Sequence, residues 1–126
     1  MTKKKPTREI GDEGEEIALN FLLKKGYNLL ERNWHFGKFE ADIIIDNDDW
    51  IVFVEVKFRS TNYFGDPEIF VSDKQKSNLI KVANRYIAKY DIEKEARFDI
   101  VSVLMQNGKA TINHIEDAFR PKINQY

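Results

Sequence analysis

Asp42, Glu55 and Lys57 are the residues of this 126-residue chain whose types and spacing best fit a chemical task. They lie on two neighbouring runs that read as strands, Phe39 to Asp46 and Trp50 to Phe58, joined through Asn47, Asp48 and Asp49. Side chains in a strand alternate faces with a period of two, so Glu55 and Lys57 share a face. A two-residue loop at Asp48-Asp49 sets Asp46 opposite Ile51, Ile44 opposite Phe53, Asp42 opposite Glu55 and Glu40 opposite Lys57. Directly opposed residues have Cβ atoms about 4.5 to 5.5 Å apart. Two carboxylates therefore converge where most neighbours are apolar.

Trp50, Val52, Val54, Val56 and Phe58 take one face of the second strand, and Ile51 and Phe53 precede the charges on the other, a pattern that reads as burial on both faces. Like charges this close raise each other's proton affinity, and burying an ionised carboxylate costs several kcal/mol. Lys57 offsets only part of that cost. A hard divalent cation satisfies both carboxylates. An oxygen-rich site with open positions suits Mg²⁺ or Mn²⁺ better than Zn²⁺, for which the neighbourhood offers no Cys and no evident His. The competing reading is a buried salt bridge, Lys57 with Glu40 or Glu55, with Asp42 merely ending a strand.

The surrounding elements follow from periodicity. Residues 1–8 read as a mobile basic tail. A helix from about Asp12 to Lys25 carries Ile17, Ala18, Phe21 and Leu22 on one side, with Gly26 as its stop. Glu15 falls on the side of Ala18, Leu19 and Leu22, so it either reaches over the sheet or serves the helix dipole. Tyr27 to His35 reads as a first strand, and Gly65-Asp66-Pro67 as a loop. A second helix, about Ser72 to Tyr90, has Ser72 as cap and Leu79, Ala83, Tyr86, Ile87 and Tyr90 as core stripe. Lys74, Lys81, Arg85 and Lys89 lie on its opposite face, either as nucleic-acid contacts or as a solvated helix surface. Two further strands, Arg97 to Leu104 and Lys109 to Ile115, flank the Asn107-Gly108 turn signal. His35 and His114 read as structural, and Arg97 with Asp99 as a local pair at a strand edge. The order predicts an α/β fold, a mixed sheet flanked by two helices with the carboxylate-bearing hairpin at its centre.

Composition narrows the class. The length suits a single domain over 1–126, with a C-terminal tail from 120. Hydrophobic residues make up 42% and aromatic residues 13%, which argues for a packed core over disorder. The absence of Cys excludes disulfides and thiolate metal sites and fits a reducing compartment. No apolar run approaches the roughly 18 residues of a membrane span, and the expected compartment is the cytoplasm. A net charge of −1 argues against binding nucleic acid through bulk electrostatics, so any such contact needs a local patch.

Taken in order, Gly14-Glu15-Glu16, Gly26-Tyr27, Glu31-Arg32-Asn33-Trp34, Glu40 with Asp42, Val52-Phe53-Val54-Glu55-Val56-Lys57, Arg59-Ser60, Phe64-Gly65-Asp66-Pro67, Lys74-Gln75 and Arg97-Phe98-Asp99 form a set. That set resembles the PD-(D/E)XK nuclease superfamily, and within it the small YraN-type endonuclease family related to Holliday-junction resolvases. The resemblance covers nearly the whole chain and implies a restriction-endonuclease-like α-β-β-β-α-β-β fold. It implies that Asp42 and Glu55 ligate Mg²⁺ or Mn²⁺ with the backbone carbonyl of Val56 and with Glu15, and that Lys57 is the catalytic lysine. Gln75 or Lys74 would then support the site from the second helix. Phe39 and Ala41 depart from the usual small residue before Glu40 and large aliphatic after it, which bears on local strand geometry. The expected activity is metal-dependent cleavage of DNA, ahead of RNA, on branched or structured forms, with Lys74, Lys81, Arg85 and Arg59 contacting nucleic acid. The alternative is a catalytically silent nuclease fold that binds nucleic acid or protein. Resolvase-like relatives that cut two strands symmetrically are dimers, which leaves a homodimer open.

Overall fold

Three tight turns fix the register of the sheet. At Asn107-Gly108 both residues have positive φ (51° and 76°), as a type I′ hairpin requires. At the turn through Gly37 and Lys38, Gly37 supplies φ 59° and Phe36 pairs with Phe39. At the third, Asn47 Oδ1 accepts from the N–H groups of Asp49 (2.9 Å) and Trp50 (2.8 Å), an Asx turn that closes the loop at Asp48-Asp49.

A computed structural model describes residues 7–60 and 71–121, with side chains from Glu13 onward. Its elements are α1 (Thr7–Lys24), β1 (Asn28–Phe36), β2 (Phe39–Asp46), β3 (Trp50–Ser60), α2 (Asp73–Tyr90), β4 (Glu95–Gln106) and β5 (Lys109–Phe119). The strands form one five-stranded sheet in the order β1-β2-β3-β4-β5. Pairing is antiparallel except between β3 and β4, which are parallel because α2 carries the chain back across the sheet. This is the mixed α/β arrangement expected from the sequence, with β3 at its centre. Thr7 and Arg8, expected in a tail, belong to α1. The rest of that tail, the Gly65-Asp66-Pro67 loop and residues 122–126 lie outside the described residues.

Helix ends are set by local chemistry. Gly26 (φ 100°) ends α1, with Tyr27 N–H donating to the Leu22 carbonyl and Gly26 N–H to that of Leu23, the two bonds of a Schellman motif. At α2, Ser72 Oγ accepts from Gln75 N–H (3.1 Å) while Gln75 Oε1 accepts from Ser72 N–H (3.0 Å), a reciprocal capping box.

The helices cover opposite faces. Ala18 and Leu22 of α1 pack on Ile43, Ile45, Val52, Val54, Val101 and Val103. Leu79, Val82, Ala83 and Tyr86 of α2 pack on Ile44, Ile51, Phe53 and Phe98. Val82, absent from the expected stripe, is fully buried, whereas Tyr90, expected within it, is 46% exposed. The stripe ends a turn early because Tyr90 adjoins the helix terminus and only leans on Tyr86, ring centroids 4.7 Å apart and planes tilted by 49°, at the border of the core.

On the α1 face, Arg97 and Asp99 are buried rather than at an edge. Asp99 accepts from Arg97 Nε (2.9 Å) and Nη2 (2.8 Å), from His114 Nε2 (2.7 Å) and from Asp117 N–H (3.0 Å). Lys25 Nζ lies 2.8 Å from His114 Nδ1, and Arg97 also donates to the Tyr27 hydroxyl. Burial raises the proton affinity of Asp99, but the donors from His114, Arg97 and Asp117 outweigh it and hold its carboxyl below the ordinary range. His114 is thus tied into this network from β5.

Gly14 lets α1 approach the sheet. A Cβ there would stand 2.5 Å from Cδ2 and 2.9 Å from Cβ of Phe58 on β3. Gly14→Val is expected to destabilise the protein by about 1 to 3 kcal/mol through overpacking. Urea denaturation measures this, and an unchanged midpoint would contradict the close approach.

Candidate metal centre

The hairpin register holds from Asp46↔Ile51 through Ile44↔Phe53 to Ile43↔Val54 and then stops. Asp42 does not pair with Glu55, nor Glu40 with Lys57, as continuation of the ladder predicts. Instead the strands part, and Asp42 Oδ2 accepts from Val56 N–H at 2.8 Å. The carboxylate takes the donor that the ladder has released, so the Val56 N–H is not left orphaned at the split.

The parting follows from a break in strand alternation. Ile45 and Ile43 belong to the α1 core, Ile44 and Ala41 to the α2 core. Ile44 and Ala41 are three positions apart, so an unbroken period of two cannot send both to one side. On β1, Arg32 pairs with Ile43 and Trp34 with Ala41, and Asn33 between them has φ 51°. Asparagine tolerates that left-handed conformation better than most residues. Asn33 and Asp42 thus stand level on neighbouring strands at one shared irregularity.

Three carboxylates gather there, with a fourth near enough for its charge to act on Asp42. Glu15, Glu40 and Asp42 each place an oxygen within 4.8 Å of the others. With its amide oriented to satisfy both neighbours, Asn33 donates to Glu40 Oε1 (2.6 Å) and Glu15 Oε1 (2.7 Å). Glu15 therefore reaches over the sheet, settling the choice that its place in α1 left open. Beside it, Glu16 is bound by Arg32 Nη1 at 2.6 Å, which ties α1 to β1. Burial, and then the charge of Glu55, push the Asp42 carboxyl up to about 8, with Glu15 and Glu40 adding to the rise and the Val56 N–H opposing it. Glu55 is the fourth carboxylate. Burial raises its proton affinity too, against the pull of Lys57, whose Nζ lies 3.6 Å from Glu55 Oε1. Lys57 and Glu55 are 16% and 19% exposed, so this is the salt bridge of the competing reading, but it leaves Asp42 without a cation.

The expected residues divide. Asp42, Glu55, Lys57 and Glu15 lie at the split, with Val56 supplying its N–H to Asp42. Gln75 is engaged in the α2 cap. Lys74, Lys81 and Arg85 are exposed on α2, and Arg59 is exposed at the far end of β3, where it donates to the Phe58 carbonyl. Reading from sequence made Glu40 only a salt-bridge partner for Lys57 and assigned Asn33 no role at the site. Glu40 had a usable signal in its spacing of two from Asp42, whereas a left-handed residue within β1 has none. The donors of this cluster are all oxygen; His35, beside it, is 60% exposed and lies 3.5 Å from Glu40 Oε2. Such a set fits Mg²⁺ or Mn²⁺.

The model of the uncharacterised protein family UPF0102 matches residues 14–103. The chain belongs to this family. Among UPF0102 relatives, a protein of Syntrophomonas wolfei is 47% identical over 89% of this chain and 98% of its own length. One of Phocaeicola vulgatus is 41% identical over 91% and 95%, and one of Myxococcus xanthus 40% over 89% and 90%. The matched span begins at Gly14 and takes in all four carboxylates, Asn33 and Lys57, while leaving out His114.

A pH dependence follows for the metal-free protein. The folded-state pKa of Asp42 lies above its ordinary 3.8, so its contribution to stability is full below about pH 4 and is lost as pH rises through 8. Melting temperatures in EDTA between pH 5 and 9 should fall more steeply for the native protein than for Asp42→Asn. Parallel curves would contradict the burial of Asp42 among like charges.

Proposed function

We propose that the protein is a metal-dependent endonuclease that hydrolyses phosphodiester bonds in DNA, built as one nuclease-like domain. The single observation that carries this reading is the convergence of Glu15, Glu40 and Asp42 at a split between strands, with the Glu55 charge felt at Asp42 and Lys57 paired to Glu55 beside them. Asp42, Glu15, Glu40 and Glu55, with the Val56 carbonyl, would hold Mg²⁺ or Mn²⁺. When bound, the ion supplies Lewis acidity toward a phosphoryl oxygen and acidifies a water for attack on phosphorus.

The chain's own residues supply the rest. Asp42 and Glu55 must lose their protons to act as ligands, so affinity for the ion rises with pH and binding releases protons. The Val56 N–H fixes the orientation of Asp42, and the Asn33 amide holds Glu15 and Glu40 together. Lys57, short of water and steered by Glu55, presents an ammonium where negative charge grows on the phosphoryl group. The ordered resemblance to PD-(D/E)XK nucleases supports the same roles for Asp42, Glu55 and Lys57. A net charge of −1 favours a second reading, a silent binding module. Against it weighs the cost of burying carboxylates that the local cations do not neutralise.

Purified protein should cut at least one of linear, single-stranded, flapped and four-way-junction DNA in Mn²⁺, and EDTA should stop it. Lys57→Ala should lower the rate by about 10²-fold or more. Undiminished cleavage by that variant would assign the activity elsewhere, and no cleavage of any substrate by Mn²⁺-loaded protein would favour the binding module.

A further inference from the structure

At the end of β2 where Phe39 precedes Glu40, the β1–β2 turn and the first half of α2 enclose a groove of about 400 Å³, lined by Lys38, Phe39, Lys74, Ser77, Asn78 and Lys81. We propose that this groove seats the phosphodiester backbone of an unpaired nucleic-acid strand next to the bond to be cut. The inference rests on the nuclease reading above and adds the form of substrate and the surface that holds it.

Its lining carries three lysines, a serine and an asparagine but no carboxylate, in a chain whose acidic residues slightly outnumber its basic ones. A polyanion brought to a cluster of acids needs such a local counter-charge. The aromatic rings of the turn are set among these cations. Phe39 lies between Lys38 (5.6 Å) and Lys81 (5.2 Å), and Arg85 stands 5.3 Å from the Phe36 ring. Phe36 pairs with Phe39 across the turn and is 40% exposed, so a half-open aromatic ring flanked by charge adjoins Phe39 of the groove. Basic grooves with aromatic platforms hold single strands, because unpaired bases have free faces to stack whereas those of a duplex are already stacked. Phe39 is three residues before Asp42, roughly 10 Å along a strand, a span that a few phosphates cover. A strand lying in the groove thus leads toward the split between β2 and β3.

Anisotropy of a labelled single strand, of its duplex and of polyglutamate competing for the site, all in EDTA, tests this without cleavage. The single strand should bind more tightly than the duplex, and polyglutamate should compete poorly. Lys38→Ala and Lys81→Ala should each reduce the slope of log affinity against log salt by about 0.7. Phe36→Ala and Phe36→Leu should both weaken single-strand binding by about five- to a hundred-fold, the leucine controlling for lost apolar volume. Preference for duplex, equal competition by polyglutamate, or unaltered binding by all four variants would overturn the proposal. Cleavage by a protein whose groove variants bind normally would sink the groove alone. Groove-dependent binding without cleavage in Mn²⁺ would support the groove and sink the nuclease reading.

Discussion

The structure turns on the hydrogen bond from the Val56 N–H to the Asp42 carboxylate, at the point where β2 and β3 stop pairing. A sheet that parts at its centre strands backbone groups, and the deficit has to be met locally. Asp42 meets it and in doing so is held half-buried, near enough to Glu55 to feel its charge. The parting and the position of the acid are a single feature. The left-handed Asn33 on the next strand extends the irregularity across three strands and brings Glu40 and, through its amide, Glu15 to the same place.

Two aspartates in one sheet, Asp99 buried and Asp42 half-buried, show what distinguishes this cluster. Asp99 is fully buried yet easily ionised, because Arg97, His114 and the Asp117 N–H satisfy its lone pairs. Asp42 has one backbone donor and three acidic neighbours, and its proton is held up to about pH 8. The first environment is a complete ion-pair network of the kind that stiffens a core. The second is short of positive charge, and Lys57, turned toward Glu55, supplies only part of it. A shortage of cations around inward-facing oxygens is what a divalent ion relieves.

Much of this was legible in the sequence because it depends on local rules. The Asp48-Asp49 loop, the Asn107-Gly108 turn, Gly26 and Ser72 act through their own backbone conformations or nearest neighbours, and the β2 limits Phe39–Asp46 and the first pairs of the hairpin were readable as they stand. What failed was extrapolation. A period of two carried past Ile43 pairs Asp42 with Glu55 and Glu40 with Lys57, because nothing in the composition of β2 signals that alternation breaks. Glu40 was therefore set against Lys57 and given no role with Glu15. The burial of Arg97 and Asp99 was equally hidden, since it depends on Tyr27 and His114, 70 and 15 positions away from their respective partners. Gln75 illustrates a different limit: the residue type suits a supporting role at a site and a capping box equally well, and only position decides.

If the oxygens at this split form a cation site, an ion supplied in the crystal must be found there. Anomalous diffraction from crystals grown with Mn²⁺ measures it most directly. The account predicts a peak in contact with Asp42 Oδ and at least one of Glu15, Glu40 and Glu55, absent from Asp42→Asn crystals. No peak at the split at millimolar Mn²⁺, or a peak that persists unchanged without the Asp42 carboxylate, would contradict it.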